Sequence, residues 1–369
     1  MTFFEFGVSK ELCKGLKEIG ITIPTKIQEQ AVPVLMNHQT DFIGKAQTGT
    51  GKTAAFGIPL LSNIDAKKKH VQALILAPTR ELGQQIAKQL FKFTKYTDKI
   101  FVESVYGGEK IDRQISRLNR PTHIVVATPG RLIDLINRKA VDISKIRTIV
   151  MDEADEMLSM GFKKDLTTIL SKTKGHRNVW LFSATMPVSL NEIITTYVDK
   201  NAPQVSVDKN DAVNKGIDHQ FVVGEEAGKL DTLTYFLKTQ KGSRGIIFTK
   251  TKVAARTLSK QLKAKNYDVG LLEGEMTQKE RDKVMRAFRN KSLQLLVSTD
   301  VAARGIDVAN LSYVIHYQLP DQIEYYTHRS GRTARAGNTG LSLALITKPE
   351  VKVIRELEKQ LGIRFGQIR

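Results

Sequence analysis

The chain has 369 residues and a formal net charge of +19, because 57 lysines and arginines face 38 aspartates and glutamates. That length predicts two domains, and the excess positive charge predicts a polyanionic partner such as nucleic acid, with a basic but inert surface as the alternative. A single cysteine excludes an internal disulfide, and no run approaches the roughly 20 apolar residues of a membrane span.

The amino-terminal segment MTFFEFGVSKELCK lacks the features of a secretory signal, so we expect a cytoplasmic protein. Through the first half of the chain, short apolar segments alternate with amphipathic ones, such as the helical pattern at 79–93. This alternation predicts an α/β domain with a parallel sheet. The predicted strands are 73–77, 123–129, 147–153 and 179–185.

The segment AQTGTGKT, which begins at Ala46, fits the phosphate-binding pattern G-x-x-x-x-G-K-[ST] except at its first position. Gly49 and Gly51 would let backbone N–H groups close around phosphate oxygens. Lys52 would bring positive charge to the β- and γ-phosphates, and the Thr53 hydroxyl could join the coordination of Mg²⁺. An ordinary glycine turn before a helix is the alternative.

Three carboxylates, those of Asp152, Glu153 and Asp155, follow the apolar run in IVMDEADEMLSM. A site for phosphate and magnesium needs a second, carboxylate-bearing loop from a neighbouring strand. We therefore expect Asp152 to hold Mg²⁺ and Glu153 to orient or deprotonate the water that attacks the γ-phosphate. The alternative, a solvated acidic patch, does not account for Lys52 and Thr53.

The alternation breaks in the polar segment 201–220, which contains a proline and has no helical period. We place a linker at 206–216, between a first domain of residues 1–205 and a second of residues 217–369. The second domain is predicted to be α/β as well, without a phosphate-binding loop of its own. Its predicted strands are 244–251, 294–307, 313–320 and 340–347, followed by a helix at 350–362.

Near the carboxyl terminus, HRSGRTAR places Arg329, Arg332 and Arg335 three residues apart, near one face if the segment is helical. The planar guanidinium group can stabilise the charge that develops on phosphoryl oxygens. A solvated basic helix is the alternative.

Eight motifs together resemble those of the DEAD-box family of ATP-dependent RNA helicases, in that family's order and across nearly the whole chain. They are AQTGTGKT, APTREL (77–82), GG (107–108), TPGR (128–131), DEAD (152–155), SAT (183–185), STDVAARGID (298–307) and HRSGRTAR. The resemblance implies two tandem RecA-like domains, ATP and Mg²⁺ as cofactors, RNA as the partner, and bacterial relatives that often work on ribosomal particles.

The resemblance also implies an adenine-recognising element, GITIPTKIQ preceded by Phe4. The Gln28 amide would bond adenine N6–H and N7, and the Phe4 ring would cover the base. Phe4 could equally be a surface residue of the first helix, and Phe3 or Phe6 could be confused with it. The implied nucleotide contacts are Phe4, Gln28, Ala46, Gln47, Thr48, Gly49, Thr50, Gly51, Lys52, Thr53, Asp307 at the ribose, and Arg329.

By the same resemblance, Arg332 and Arg335 look like arginine fingers, and His328 and Arg329 look like links to the motifs of the first domain. Because Lys52 precedes the linker and these residues follow it, we expect an ATP site divided between domains. Hydrolysis would then require the domains to close. The implied residues that couple ATP to RNA are Asp155, Ser183 and Thr185, for which a plain turn at a strand end is the alternative.

The implied RNA contacts combine hydroxyls, glycine amides and arginines, which suit phosphates and 2′-hydroxyls and do not read base sequence. Ordinary turn and cap chemistry is the alternative at each position. They are Pro78, Thr79, Arg80, Gly107, Gly108, Thr128, Pro129, Gly130 and Arg131 in the first domain, and Thr249, Gln278, Arg281 and Thr299 in the second.

Four residues depart from the usual family pattern. Ser330 stands where an aliphatic residue is common, Ala334 where glycine is common, and Glu273 and Glu275 where histidine and aspartate are common. These changes bear on turnover rate more than on reaction type. We expect a monomeric helicase that separates short RNA duplexes or remodels ribonucleoproteins, with an ATP-gated RNA clamp and a DNA-dependent motor as alternatives.

Overall fold

The computed structural model describes residues 1–37, 39–47, 49–173, 177–207, 216–240, 242–303, 311–334 and 339–368. The chain divides into two compact units, Met1–Asp208 and Lys209–Arg369. Each unit contains a sheet of seven strands in its described part, and all their pairings are parallel. The exact boundaries proposed for the linker stay predictions, because most of 206–216 lies outside the described residues.

The first unit alternates strands with helices. Its strands are β1 (Phe42–Lys45), β2 (Ala73–Leu76), β3 (Val102–Val105), β4 (Ile124–Ala127), β5 (Thr148–Asp152), β6 (Asn178–Ser183) and β7 (Gln204–Ser206). Its helices are α1 (Lys10–Glu18), α2 (Lys26–Asn37), α3 (Lys52–Ser62), α4 (Arg80–Phe93), α5 (Ile111–Leu118), α6 (Pro129–Asn137), α7 (Ala154–Ser159), α8 (Lys163–Lys172) and α9 (Val188–Tyr197). The strand order is β3-β4-β2-β5-β6-β1-β7.

The core of the first unit follows from the strand period of two. Along β2, Ala73 and Ile75 pack into one hydrophobic cluster, while Leu74 and Leu76 pack into the other. Helices cover both faces of the sheet, so strands such as β2, β4 and β5 are buried along their whole length. This burial is why the central strands appear in the sequence as unbroken apolar runs.

The second unit repeats this architecture. Its strands are β8 (Ile217–Val223), β9 (Gly245–Thr249), β10 (Val269–Leu272), β11 (Leu295–Thr299), β12 (Tyr313–His316), β13 (Gly340–Ile346) and β14 (Gly366–Ile368). Its α-helices are α10 (Lys229–Thr239), α11 (Lys252–Ala264), α12 (Gln278–Arg289), α13 (Asp300–Ala303), α14 (Ile323–Ser330) and α15 (Val351–Leu361), with short 3₁₀ turns at Glu226–Gly228 and Lys348–Glu350. The strand order is β10-β11-β9-β12-β13-β8-β14.

The parallel sheet determines where the motifs of the first unit lie. Carboxyl ends of parallel strands share one edge of the sheet, which is where ligands bind in such folds. The phosphate-binding loop, the DEAD segment and the SAT segment follow β1, β5 and β6, which are neighbours in the sheet. The predicted RNA loops follow β2, β4 and β3, which are also neighbours. One edge therefore carries the predicted nucleotide loops in one half and the predicted RNA loops in the other, which we call the nucleotide half and the RNA half.

One prediction about local structure was wrong: the predicted strand 294–307 ends at Thr299, and α13 begins at Asp300. The non-helical segment 201–220 contains β7 and the start of β8 at its two ends. The helical condition on the arginines of HRSGRTAR holds for Arg329 alone among the described ones, because α14 ends at Ser330 with Gly331 as its C-cap and Arg332 lies beyond it. In the described part of the chain, no helix has the length and apolar character that crossing a bilayer requires.

Candidate functional site

The phosphate-binding loop leads from β1 into α3. Gly49 and Gly51 have φ values of +89° and +94°, a region that glycine enters without a Cβ clash. The loop ends at the amino terminus of α3, where unpaired N–H groups and the helix dipole favour an anion. Lys52 is only 6% exposed, and its Nζ donates to the Ala46 carbonyl oxygen at 3.1 Å. The loop therefore combines backbone donors with a buried cation.

Other residues of this loop support its shape. The Thr50 hydroxyl donates to the Gln47 carbonyl oxygen at 2.7 Å, which closes the turn. Thr53 is half-buried in the first turn of α3. Thr48, also predicted to contact nucleotide, lies outside the described residues.

Gln28 lies against the phosphate-binding loop. Its Nε2 donates to the Gly51 carbonyl oxygen at 3.0 Å, and its Oε1 accepts from the Thr25 backbone N–H at 2.9 Å. The Thr25 hydroxyl donates to the Thr50 carbonyl oxygen at 2.8 Å, so two residues of this segment hold the loop. An amide offers two donors and two lone pairs. These two contacts of Gln28 use one N–H donor and one oxygen lone pair. The remaining N–H and lone pair are the groups that adenine N7 and N6–H would need.

The three phenylalanines near the amino terminus differ in accessibility. Phe3 and Phe6 are 3% and 8% exposed and pack in the core with their rings edge to face. Phe4 is 56% exposed and lies in a turn before α1, so the alternative that placed it in the first helix was wrong. Of these three rings, only that of Phe4 is accessible for a base to stack on.

The carboxylates of the DEAD segment have distinct surroundings. Asp152 ends β5 and is 2% exposed, and its Oδ1 accepts from the Glu153 backbone N–H at 3.0 Å. Burial raises the pKa of Asp152 to about 7, and the nearby positive charge of Lys52 opposes this rise. Glu153 has a φ of +52°, a strained value for a residue with a Cβ. Strain of this kind is concentrated at functional sites.

Asp155 joins the DEAD segment to the SAT segment. Its Oδ2 accepts from both the backbone N–H and the hydroxyl of Thr185 at 2.8 Å, and its Oδ1 accepts from the Glu156 backbone N–H at 3.0 Å. The Ser183 hydroxyl accepts from the Asp155 backbone N–H at 3.3 Å and donates to the Thr185 carbonyl oxygen at 2.6 Å. The three residues predicted to couple ATP to RNA are therefore in direct contact, although their coupling role stays a prediction.

The residues of this half fit ATP with a magnesium ion. The loop N–H groups and Lys52 suit the β- and γ-phosphates, and Thr53 and Asp152 offer the oxygen ligands that Mg²⁺ prefers. Among the described residues, no three His, Cys, Asp or Glu side chains converge as a metal site. Such an ion would therefore take most of its remaining ligands from phosphate oxygens and water.

In the RNA half, two interactions hold the loop after β2, which is predicted to contact RNA. The Thr79 hydroxyl caps α4 by accepting a backbone N–H of the first turn at 3.3 Å. The Arg80 guanidinium lies 4.7 Å from the centre of the Tyr106 ring, a cation–π contact that fixes its direction. Gly107 and Gly108, after β3, are exposed, while Pro78 is buried.

Glu109 organises the neighbouring loop. The Arg131 Nη1 donates to the Glu109 carbonyl oxygen at 3.1 Å. The Glu109 carboxylate accepts hydrogen bonds from Nη1 and Nη2 of Arg117 at 2.9 and 2.8 Å. These bonds lower the pKa of Glu109 to about 2. The rest of the TPGR loop is buried or half-buried: Thr128, Pro129 and Gly130.

In the second unit, Thr249 and Thr299 are register partners at the ends of β9 and β11. They are 0% and 5% exposed, so their side chains do not offer a surface to RNA in this structure. Gln278 and Arg281 lie half-buried on α12, where Arg281 Nη2 donates to the Ala302 carbonyl oxygen at 2.6 Å. Of these predicted contacts, the α12 pair is the more accessible.

Arg329 is engaged within the second unit. Its Nε and Nη2 donate to the two oxygens of Asp300 at 2.5 and 2.6 Å, and its Nη1 donates to the Gln318 carbonyl oxygen at 2.7 Å. The side chain is 2% exposed. A nucleotide contact by Arg329 would require this buried side chain to become accessible.

Ser330 belongs to a buried polar network. Its hydroxyl lies 2.9 Å from that of Ser342 and 3.3 Å from His316 Nε2. Ser342 lies 3.2 Å from the Tyr326 hydroxyl, which lies 2.6 Å from His219 Nδ1. Burial lowers the pKa of His316 well below its ordinary value and lowers that of His219 to about 4, so both imidazoles are neutral. An aliphatic residue at 330 would remove two contacts from this network, while His316 Nε2 and the Ser342 hydroxyl would keep their own contact at 3.1 Å.

The structure also shows what surrounds the other three residues that differ from the usual family pattern. Glu273 and Glu275 both accept from Arg256, at 2.6 and 2.7 Å, and Lys252 pairs with Glu275 at 2.5 Å. Ala334 has a φ of +53°, the region in which glycine is unstrained, which explains the usual residue there.

Four more residues of the second unit were predicted to belong to the ATP site, and two of them are described by the structure. His328 and Arg332 are half-buried, whereas Asp307 and Arg335 lie outside the described residues.

The sequence interpretation missed three residues that hold predicted ones in place. Thr25 orients Gln28, Glu109 orients Arg131, and Asp300 pairs with Arg329. Asp300 could have been suspected, since, like Glu153, it is an acidic residue directly after a buried strand. Thr25 and Glu109 act through backbone groups, which leave no pattern in the sequence.

Comparison with known proteins agrees with this geometry. The DEAD/DEAH box helicase family model matches residues 25–193, and the helicase conserved C-terminal domain model matches residues 228–337. The chain is 41% identical over 366 residues to the ATP-dependent RNA helicase CshA of Limosilactobacillus reuteri, covering 99% of this chain and 73% of that protein. It is 42% identical over 361 residues to the RNA helicase CrhR of Synechocystis, covering 98% and 73%.

Among solved structures, the S. cerevisiae Dbp5 bound to RNA and ADP BeF3 matches with a TM-score of 0.90 and 31% identity, covering 100% of this chain and 95% of that one. The two units, each built on a parallel sheet, are thus the tandem RecA-like domains that the resemblance implied. The chain belongs to the DEAD-box ATP-dependent RNA helicase family.

Proposed function

We propose that this helicase separates short RNA duplexes or remodels ribonucleoproteins in the cytoplasm, as a monomer that hydrolyses ATP when it holds single-stranded RNA. The observation that supports the proposal is the arrangement of loops along one edge of the first sheet. The loops after β5, β6 and β1 are suited to a nucleotide, and those after β3, β4 and β2 are suited to an RNA backbone.

In this proposal each residue of the nucleotide half has a defined task. Lys52 and the loop N–H groups hold the β- and γ-phosphates, and Gln28 with Phe4 selects adenine. Bound Mg²⁺, held at Thr53 and Asp152, would neutralise phosphate charge. Glu153 accepts a proton from the attacking water. Arg332 and Arg335 are proposed to stabilise the charge that develops on the γ-phosphoryl oxygens.

Energetics limit how much duplex one ATP cycle can open. Breaking about five stacked pairs costs on the order of 7 kcal/mol, on the basis of about 1.4 kcal/mol for each step in DNA. The proposal is therefore local strand separation, with the two units closing on ATP and RNA and reopening after hydrolysis. Processive translocation along a long duplex is not expected.

Steady-state ATP hydrolysis with and without single-stranded RNA tests this function. We expect RNA to stimulate hydrolysis, DNA of the same sequence to fail, and Glu153→Gln to lower turnover by about 10² or more while ATP still binds. Glu11→Gln, an exposed carboxylate on α1, is the matched control and should leave turnover unchanged.

Two results would redirect the proposal. Tight, ATP-dependent binding of RNA without faster hydrolysis would favour the ATP-gated clamp. Equal stimulation by DNA would favour a DNA-dependent motor, since RNA and DNA differ here by the 2′-hydroxyl.

A further inference from the structure

The opposite edge of the first sheet has its own composition. Four residues just before their strands and the first residue of β6 are joined in a row by backbone hydrogen bonds of 2.8 to 3.0 Å, from β3 across β4, β2 and β5 to β6. In sheet order they are Phe101, His123, Gln72, Arg147 and Asn178. Four strand spacings separate the ends of this row, a length of about 19 Å. We call it the amino edge.

Cations cluster at one end of the amino edge. Lys68, Lys145 and Arg147 all lie close enough to His70 that, after burial, their positive charges lower its pKa. Lys68 pairs with Asp65 at 3.6 Å, and Asp142 lies near His70.

No described acidic side chain lies within ion-pair distance of Lys145 or Arg147. Lys67 and Lys69 beside them are exposed. The cluster therefore has more positive than negative charge, and several of its cations are available to an anionic ligand.

A cavity of about 370 Å³ opens between these cations and the strand ends. Lys68 and Arg147 line it together with Asp65 and four residues that have amide side chains. Its amide residues are Gln39, Asn63, Gln72 and Asn178. The Gln72 amide is bonded to the Asp65 backbone at 2.8 and 3.0 Å. Cations and amide N–H groups in a concave surface suit phosphate and ribose oxygens.

At the other end of the row lies an accessible aromatic ring. Phe101 is 39% exposed, and its other face stacks on the buried His123, with ring centroids 5.6 Å apart and planes at 28°. Lys99 Nζ lies 5.4 Å from the centre of the Phe101 ring. A supported ring beside a cation is the arrangement on which proteins stack unpaired bases.

We propose that the amino edge is a second binding surface for single-stranded RNA, with Lys68, Lys145 and Arg147 meeting phosphates and Phe101 stacking on a base. The proposal deepens the proposed function, on whose RNA-binding part it rests. A linear arrangement of cations, amides and a ring favours a single strand over an acidic protein, which has no bases to stack. RNA held at both edges would stay bound while the motif edge releases its strand.

Binding of a short and a long RNA to the full chain tests the surface. One variant combines Lys68→Gln, Lys145→Gln and Arg147→Gln. The control combines Lys238→Gln, Lys260→Gln and Lys263→Gln, which removes the same charge from exposed helix positions of the second unit. Fluorescence anisotropy would use RNAs of about 8 and about 30 nucleotides, because single-strand sites span roughly 4–16 nucleotides.

The amino-edge variant should bind the long RNA roughly tenfold more weakly, with the log–log salt slope reduced by about 2, since each phosphate contact contributes about 0.7 for single strands. Its affinity for the short RNA with an ATP analogue should match the wild type. Phe101→Leu, which keeps an apolar side chain on His123, should also weaken only the long RNA.

Long-RNA affinity equal to that of the control variant would overturn the proposal. Loss of binding to poly-glutamate alone, with RNA unaffected, would replace RNA by an acidic protein partner. If the wild type binds the short RNA but gains nothing from the longer one, this inference fails while the proposed function stands. Failure of the wild type to bind either RNA would contradict both.

Discussion

Gly51 shows how much a single residue can determine in the nucleotide half. Its φ of +94° strains any other residue, and a Cβ there would lie 2.3 Å from the Gln28 Nε2. Since Gln28 is 3% exposed and bonded to the Gly51 carbonyl oxygen, it has little room to move. The loop and the adenine-recognising element therefore depend on the same missing side chain.

We expect Gly51→Ala to weaken ATP binding by about 10² or more, because displaced donors lose bonds worth roughly 1.5–3 kcal/mol each to a charged phosphate. Gly83→Ala is the matched control. A Cβ at Gly83, inside α4, would meet only Val126 Cγ1 at 3.6 Å. It should leave ATP affinity unchanged and raise stability by about 0.5–1 kcal/mol.

Calorimetric titration with ATP and urea unfolding measure the two effects. Normal ATP affinity in Gly51→Ala would show that the loop rearranges freely, contrary to this structure.

At Ala334 the same reasoning gives the opposite conclusion. The left-handed backbone costs about 1–2 kcal/mol for alanine. Glycine would lose a buried methyl worth about 0.8 kcal/mol and would add unfolded-state entropy of about 0.5–1 kcal/mol. Because these effects nearly cancel, alanine is tolerated where the family usually has glycine.

At the scale of elements, the polar network joins β8, β12, β13 and α14. It includes two imidazoles that the folded protein keeps neutral, since the pKa of His219 is lowered to about 4 and that of His316 is lowered well below its ordinary value. In the unfolded chain each imidazole binds a proton near pH 6.5. Between about pH 6.5 and 4 the unfolded state thus holds more protons, so stability is lost as the pH falls.

We expect His316→Asn to reduce this loss by about 1.4 kcal/mol per pH unit in that window, because the variant keeps an amide donor and cannot titrate. Pulse-labelling hydrogen exchange in urea at pH 5, 6 and 7, read on peptides of β12 and α14, measures the stability of the second unit. An unchanged pH slope would show that His316 is protonated or exposed in the folded state.

The elements also show what the sequence can and cannot predict. Strands such as β5, buried throughout, were found because burial on both faces leaves an unbroken apolar run. The edge strands β7 and β14 are largely exposed, so they leave no such pattern. The end of α14 was missed because its stop depends on Gly331 as a C-cap, which spacing among arginines does not reveal.

The site was predictable to a similar degree. Lys52, Asp152 and Glu153 could be singled out from the sequence because phosphate and metal chemistry dictates residue types at strand ends, and the structure places all three at or after strand ends along one edge. Accessibility could not be read in this way: Thr249 follows the family pattern, yet it is completely buried. Positioning through backbone carbonyls, as at Glu109, is invisible to sequence because any residue has a carbonyl.

At the scale of the whole molecule, the strand order of the first sheet places the predicted nucleotide loops and the predicted RNA loops in separate halves of one edge. The same order makes the two sets of loops neighbours at β5 and β2. β5 ends in the DEAD segment and lies between β6, which leads to SAT, and β2, which leads to Thr79 and Arg80. Asp155 and Thr185 join the loops after β5 and β6 through two hydrogen bonds to one carboxylate oxygen. We therefore expect a change at the γ-phosphate to reach the strand next to the predicted RNA loops through this contact.

We expect Thr185→Val to leave ATP binding unchanged and to lower RNA-stimulated hydrolysis about tenfold, because a hydrogen bond to a carboxylate is worth about 1.5–3 kcal/mol. The backbone N–H of residue 185 would still donate to Asp155, so the fold should persist. Thr196→Val, on the exposed face of α9, is the matched control. The decisive comparison is turnover with saturating RNA against turnover without it. A Thr185→Val chain that RNA stimulates as strongly as the wild type would show that coupling runs through other residues, and Asp155 would then serve only to hold the turn.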